Sequence, residues 1–257
     1  MNKSPRLQHA RVAAAFLTRI PIGHGEEISM SRIVRWFTVI GSFIGVTCGG
    51  AYVALREILP ALPASVLSIT LGILITGGFH HDGLADSADG LVGGWTPEQR
   101  REILKDSRHG TYGVLALVVQ VLLQVSLLTD LTTANGFVAL AMMHCIGRAG
   151  AVAIMTSATG ISEGLGANYV RGVTNRDVMW ASLFAVAVSI LFCGWWGLVL
   201  ITATAGMGRL ILAYAVKKIG GIVGDILGAV EQVGETTILI VVGIVAMKIG
   251  SISWWLA

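Results

Sequence analysis

Seven long apolar runs dominate this chain of 257 residues and limit the folds open to it. A helix needs about 20 mostly apolar residues to cross a bilayer, and only helices and closed barrels satisfy their backbone polar groups there. Charged residues make up 13% of the chain, against about 25% in soluble domains. We therefore predict an all-α, polytopic transmembrane helical bundle of about seven spans, forming one integral-membrane domain over residues 1–257. The runs are Trp36–Leu55, Ala61–Phe79, Thr111–Leu128, Gly136–Ser157, Val178–Phe192, Trp195–Val216 and Thr236–Trp255.

Most charged residues collect in four of the segments outside these runs. Segments 1–35, 80–110, 158–177 and 217–235 contain 14 of the 18 Lys and Arg residues and 13 of the 15 acids. Basic residues are enriched on the cytoplasmic side of membrane proteins. We therefore expect these segments, the N-terminus and the active site to face the cytoplasm, with the chain in the cytoplasmic (inner) membrane. The basic segment 1–35 is expected to lie partly in the membrane interface.

Three aspartates follow the second apolar run at a spacing that suits a helix. Asp82, Asp86 and Asp89 stand at i, i+4 and i+7, so a helix places all three on one face. Magnesium prefers a few carboxylates and completes its shell with water and substrate phosphate, which makes these acids candidate Mg²⁺ ligands. A solvated helix end without a ligand is the structural alternative. His80 and His81 directly precede Asp82, and either could accept a proton or simply pack.

A basic segment stands at the mouth of the third run. Lys105, Asp106, Ser107 and Arg108 precede the sequence GTYG at 110–113. Arginine offers phosphate oxygens a planar fork of donors, and lysine offers them a point charge. The segment is therefore a candidate phosphate-binding site, and an anchor that merely orients the span is the alternative.

Two later segments combine glycines with acids. The sequence ISEGLGA at 161–167 brings Gly164 and Gly166 close together, which suits a backbone nest for an anion. The sequence GGIVGDILGAVEQVGE at 220–235 contains Asp225, Glu231 and Glu235. We predict that Asp225 is a further metal ligand. For the two glutamates, a functional role and a solvated amphipathic linker stay equally open.

Two arginines, Arg148 and Arg209, fall within apolar runs. An ionisable residue at membrane depth is rare and suggests a functional site, although a structural ion pair is the alternative. Acids on one helix face with Arg and Lys nearby suit phosphoryl transfer, where the protein mainly positions the reactants and neutralises charge. The residues thus predict a membrane-embedded, magnesium-dependent enzyme acting on a phosphate or diphosphate.

At these motifs the chain resembles the cobalamin synthase family, the adenosylcobinamide-GDP ribazoletransferases. HHDGLADSADGLVGG at 80–94, followed by KDSRHGTYGVLAL at 105–117, resembles the central signature of that family. FLTRIPI at 16–22, RWFTVIGSFIG at 35–45, EGLGA at 163–167 and GDILGAVEQVGE at 224–235 resemble its other motifs in order. One departure is the absence of a proline after Phe37.

The resemblance implies that the enzyme joins adenosylcobinamide-GDP to α-ribazole or its 5′-phosphate, giving adenosylcobalamin or its 5′-phosphate and GMP. Magnesium is the expected cofactor, with Asp82, Asp86 and Asp225 as its ligands. We expect Asp89 and His81 to be the catalytic residues, with Asp89 or a neighbour accepting the proton of the ribose 3′-hydroxyl, although His81 is a second departure from the family pattern.

The residues expected to bind substrate phosphate complete this assignment. Arg148 is expected to stabilise the departing GMP together with Lys105 and Arg108. The other expected phosphate-binding residues are Asp106, Ser107, Gly164 and Gly166.

Three rival classes make different demands on the sequence. A CDP-alcohol phosphotransferase needs an Ala-Arg pair soon after its first Asp-Gly, whereas Leu-Ala-Asp follows Asp82-Gly83 here. A membrane prenyltransferase needs a second aspartate-rich motif, and Asp225 stands largely alone. A transporter places its ionisable groups near the midplane, whereas most charges here belong to one side.

The expected partners are the two substrates and the lipid bilayer, with no nucleic acid. Gly41 and Gly45 allow close helix packing, either within a chain or between chains. A homo-oligomer therefore stays open.

Overall fold

The computed structural model describes residues 5–22, 29–106, 108–157, 170 and 172–253. All regular secondary structure in these ranges is helical, as the sequence predicts. The elements are α1 (Pro5–Leu17), α2 (Met30–Ile33), a 3₁₀ turn (Val34–Trp36), α3 (Phe37–Arg56), α4 (Ala61–Thr76), α5 (Phe79–Gly93), α6 (Pro97–Ile103), α7 (Thr111–Thr129), α8 (Thr133–Ile154), α9 (Asn175–Cys193), α10 (Trp196–Ile219) and α11 (Gly224–Ile249).

Six helical segments of the described chain are long and apolar enough to cross a membrane, and the bent pair α4–α5 would make a seventh. The prediction of a multi-span helical bundle is thereby confirmed. The last span differs from its prediction, because α11 begins at Gly224 rather than at Thr236. The second half of segment 217–235 is therefore part of a packed helix. It does not form a charged loop, because two of its acids find partners inside the bundle.

Helix α8 forms the centre of the bundle, because 89% of the residues in its most apolar stretch are buried. It packs most extensively against α3 and α11. Gly41, Gly45 and Gly49 of α3 face α8, and a Cβ at Gly45 would lie 2.6 Å from the Leu140 carbonyl oxygen. Small residues at such a spacing let two helix backbones approach closely. The glycine pattern of α3 thus serves packing within one chain.

Helices α4 and α5 meet at a sharp break. Gly77 and Gly78 adopt φ values of 66° and 70°, a conformation that glycine reaches without the strain of a Cβ. The two helices are bent by 90° at this point. The break turns α5 across the bundle, where it packs against α11 and α7. Because α5 contains the three aspartates of the central motif, the break brings them into the part of the bundle formed by α7 and α11.

Candidate active site

Two of the predicted metal ligands meet a histidine at the surface of the bundle. The Nδ1 atom of His109 lies 3.4 Å from Asp86 Oδ1, and its Nε2 atom lies 3.6 Å from Asp82 Oδ1. One ligand atom from each of the three residues lies within 4.8 Å of the others. The Asp82 side chain is 63% exposed and the Asp86 side chain 15%. The three groups therefore converge on a point that solvent and substrate can reach.

The two carboxylates of this set fit magnesium, which prefers oxygen ligands, whereas the imidazole of His109 is not a typical magnesium ligand. Mg²⁺ in phosphate-transfer sites is held by one or two carboxylates and keeps several positions for water and substrate oxygens. Asp82 and Asp86 supply two carboxylates one helical turn apart, and their exposure leaves room for the remaining ligands. Sequence reasoning did not single out His109. The available signal was a histidine immediately after Arg108, in the segment already expected to bind phosphate.

The third aspartate of the motif has a different environment. Both oxygens of the Asp89 carboxylate accept backbone hydrogen bonds, from Gly110 N–H at 2.6 Å and Gly113 N–H at 2.9 Å. Asp89 is buried. Through the two hydrogen bonds its carboxylate caps the first turn of α7, where the unpaired backbone N–H groups favour a negative charge. A Cβ at Gly113 would lie 2.9 Å from the Ala85 carbonyl oxygen, so this close approach requires glycine.

This arrangement bears on the prediction that Asp89 is the catalytic base. Both of its oxygens already accept hydrogen bonds from the loop, and the side chain is only 6% exposed. Through these bonds Asp89 holds the loop that carries His109, and its role as the base stays a prediction. Sequence spacing places the three aspartates on one face, but the partner of each depends on the loop that returns to α5.

Asp225 lies beside Asp82, Asp86 and His109 but is not one of the converging groups. A Cβ at Gly83 would lie 2.9 Å from the Asp225 carbonyl oxygen, so the start of α11 touches α5 between Asp82 and Asp86. The Asp225 carboxylate is close enough to both aspartates for the negative charges to repel one another. It is not among the groups that converge within 4.8 Å. Its role as a third ligand stays a prediction.

The predicted phosphate-binding segment is exposed at the same surface. Arg108 Nη2 lies 2.7 Å from Asp106 Oδ2, and both side chains are open to solvent. Hydrogen bonds from Arg108 lower the pKa of Asp106 to about 2. The Lys105 side chain is also exposed. Three other predicted phosphate-binding residues, Ser107, Gly164 and Gly166, lie outside the described residues.

Arg148 does not lie at this surface. Its side chain is 1% exposed, and its Nη1 atom lies 2.7 Å from Glu231 Oε1 on the facing helix α11. One turn away, His144 Nδ1 lies 2.6 Å from Glu235 Oε1. Gln232 donates to Glu231 Oε2 at 2.8 Å. The ion-pair alternative raised by the sequence thus describes Arg148 in this structure, and the two glutamates are network members rather than linker residues.

The two histidines before Asp82 face this buried network. His80 Nδ1 lies 3.4 Å from Glu231 Oε1. His81 lines the same small cavity as Arg148, Gln124 and Glu235. Neither ring nitrogen of His81 has a hydrogen-bond partner among the described residues. His81 thus lines a cavity together with Arg148 and is not among the groups that converge with His109.

Fold and site together define a multi-pass membrane protein whose helical bundle carries a cluster of two aspartates and a histidine beside an exposed basic segment. The sequence model of the cobalamin-5-phosphate synthase family matches residues 9–243. The chain therefore belongs to that family, as its motifs indicate.

Curated relatives agree over most of their length. Proteins named adenosylcobinamide-GDP ribazoletransferase from Shewanella baltica (strain OS185) and Shewanella oneidensis are 34% and 35% identical over 246 residues, covering 90% of this chain and 93% of each relative. A protein of the same name from Shewanella woodyi is 36% identical over 233 residues, covering 87% of this chain and 91% of the relative. No solved structure matches the chain.

Proposed function

We propose that this protein joins adenosylcobinamide-GDP to α-ribazole or α-ribazole 5′-phosphate and releases GMP. Family membership and relatives named for this transfer support the proposal. The structural observation that carries it is the convergence of Asp82, Asp86 and His109 on one exposed point. That arrangement suits the neutralisation and orientation of a diphosphate, which phosphoryl transfer requires.

Asp82 and Asp86 would hold the cofactor Mg²⁺, with Asp225 as a third candidate. Bound magnesium supplies positive charge for the diphosphate oxygens. The two carboxylates fix its place, because successive turns of α5 present them on one face. Asp89 holds the loop 109–113 through its two backbone hydrogen bonds, which keeps His109 opposite both ligands.

The reaction requires one proton acceptor and one charge stabiliser from the chain. The ribose 3′-hydroxyl oxygen bonds to the phosphorus attached to cobinamide, and the bond from that phosphorus to the oxygen of GMP breaks. We assign the hydroxyl proton to His109, whose ring nitrogens both face carboxylates; one nitrogen would become free to accept the proton when Asp82 and Asp86 turn to the metal. Lys105 and Arg108, both exposed, would stabilise the negative charge that develops on GMP.

Charge distribution supports a location in the cytoplasmic membrane, with the site facing the cytoplasm. The exposed cluster of Asp82, Asp86 and His109 lies within segment 80–110, one of the four segments that contain most of the Lys and Arg residues. Basic residues favour the cytoplasmic side, and the N-terminus would share it.

GMP release by the purified protein in lipid nanodiscs tests the proposal. The protein would receive adenosylcobinamide-GDP, magnesium and either α-ribazole or its 5′-phosphate, with Asp86→Ala as the matched inactive variant. We expect release that needs both the acceptor and magnesium and that the variant lacks. Folded protein that releases no GMP with either acceptor would overturn the assignment.

A further inference from the structure

The orientation of α5 is not set by its own beginning. Gly77 and Gly78 precede the helix with positive φ, and the N-cap residue Gly78 makes no side-chain capping bond. Glycine samples many backbone conformations, so a pair of glycines leaves the helix direction poorly determined. Contacts farther along α5 must therefore hold Asp82 and Asp86 at their observed positions.

Helix α11 supplies two such contacts on either side of Asp82. His80 Nδ1 lies 3.4 Å from Glu231 Oε1, with both side chains buried. One turn later, the backbones of Gly83 and Gly228 meet, and a Cβ at Gly228 would lie 3.1 Å from the Gly83 Cα atom. A polar contact and a backbone contact thus flank the first metal-ligand candidate.

Glu231 also has partners on its other side. Arg148 of the central helix α8 pairs with it at 2.7 Å, and Gln232 donates to its second oxygen at 2.8 Å. Arg148 and Glu231 are 1% and 0% exposed. Charges so far from water interact strongly when they are well paired. Glu231 therefore joins the buried central helix of the bundle to the segment that begins the acidic motif.

We infer that Glu231 and His80 are positioning residues, which set the placement of Asp82 and Asp86 opposite His109 through the buried network. Neither residue belongs to the exposed cluster that would touch magnesium or substrate. The inference rests on the proposed function, because it assigns the network a task in the same site. The buried contact between His80 and Glu231 thus controls how tightly Asp82 and Asp86 hold magnesium.

Replacing His80 with leucine tests the inference, because leucine fills the space but cannot contact Glu231. The measured quantity is the Kd of magnesium, obtained by calorimetric titration of the substrate-free protein in nanodiscs and checked against the magnesium concentration that gives half-maximal GMP release. We expect it to rise about tenfold, in the range found when residues that orient metal ligands are removed. His80→Gln, which keeps a donor, should restore part of the effect.

Tyr52→Phe is the matched control. Tyr52 is buried and donates a hydrogen bond of 3.2 Å to the Leu128 carbonyl oxygen, in a core cluster that does not include α5. Its loss removes a comparable buried bond, and the magnesium requirement should stay as in the wild type.

Gly83→Ala provides a second route if His80→Leu fails to fold. Its methyl group would lie 2.9 Å from the Asp225 carbonyl oxygen, which pushes α5 away from α11. We expect the same rise in the magnesium requirement. An unchanged requirement in folded His80→Leu and Gly83→Ala would overturn the inference. Wild-type GMP release without magnesium would instead overturn the proposed metal site, so the two failures are distinguishable.

Discussion

Asp89 accepts a hydrogen bond of 2.9 Å from the backbone N–H of Gly113, across a separation of 24 residues. Together with the bond from Gly110, this contact fastens the loop that carries His109 to the helix that carries Asp82 and Asp86. The most buried acid of the motif thus organises the site, while the two more exposed acids face the solvent.

Asp89→Asn should weaken the cap of α7, because an amide nitrogen then faces one of the two N–H donors. We expect a loss of about 1–2 kcal/mol in the free energy of unfolding, together with slower GMP release at saturating magnesium. Thr132→Ala is the control, because it removes the cap that Thr132 Oγ1 makes with Asn135 N–H at the start of α8. The Thr132→Ala variant should lose a similar free energy of unfolding and release GMP at the wild-type rate. A collapse of the rate with no loss of stability would favour the original prediction of Asp89 as base.

Asp86→Asn should raise the magnesium concentration for half-maximal GMP release by about tenfold or more. Asp82→Asn should raise it less, because its carboxylate is more exposed and bound water can replace it. A magnesium titration checks both, with Glu98→Gln as a control for loss of an exposed charge near the site. The same titration is made with Asp225→Asn. If the magnesium concentration for half-maximal GMP release does not change, Asp225 is not a metal ligand.

His109→Gln should lower turnover at saturating magnesium by about 10²-fold or more, the usual scale for loss of a general base. His81→Gln should lower it far less, because His81 lies in the buried cavity next to Arg148. Single-turnover GMP release compares the two variants directly. The opposite ranking would support His81, which the sequence analysis expected to be catalytic together with Asp89.

Arg148→Met should destabilise the bundle by about 3–5 kcal/mol, because it leaves Glu231 buried and uncompensated. Adding Glu231→Met should recover much of that loss, since a well-packed apolar pair often replaces a buried ion pair at little cost. Denaturant unfolding in nanodiscs measures both variants. If Arg148 instead binds substrate phosphate, Arg148→Met would raise the KM for adenosylcobinamide-GDP and leave the stability intact.

Asp106→Asn should lower the KM for adenosylcobinamide-GDP two- to threefold, roughly the scale of an exposed ion pair, because it frees Arg108 to bind phosphate. Arg108 lowers the pKa of Asp106 to about 2, so the carboxylate is ionised at every pH well above that value. The ratio of the two KM values should therefore be constant from pH 6 to pH 9. A ratio that changes with pH across this window would contradict the assigned state of Asp106.

The sequence by itself determined the class of the protein and the outline of its site. Apolar runs of spanning length allow little besides a helical bundle, and the spacing of Asp82, Asp86 and Asp89 puts them on one helix face. The ordered motifs identified the family. These features depend on composition and on periodicity within single elements, which a sequence displays directly.

Only the tertiary structure decided which residues become partners. Asp89 caps a helix that begins 22 residues later, and Arg148 pairs with Glu231 across 83 positions of sequence. Periodicity shows which face a residue occupies, but not which helix covers that face. The last helix was predicted to start at Thr236, because Glu231 and Glu235 make the preceding segment read as charged. The structure begins it at Gly224, because Arg148 and His144 on the central helix neutralise both acids where they are buried.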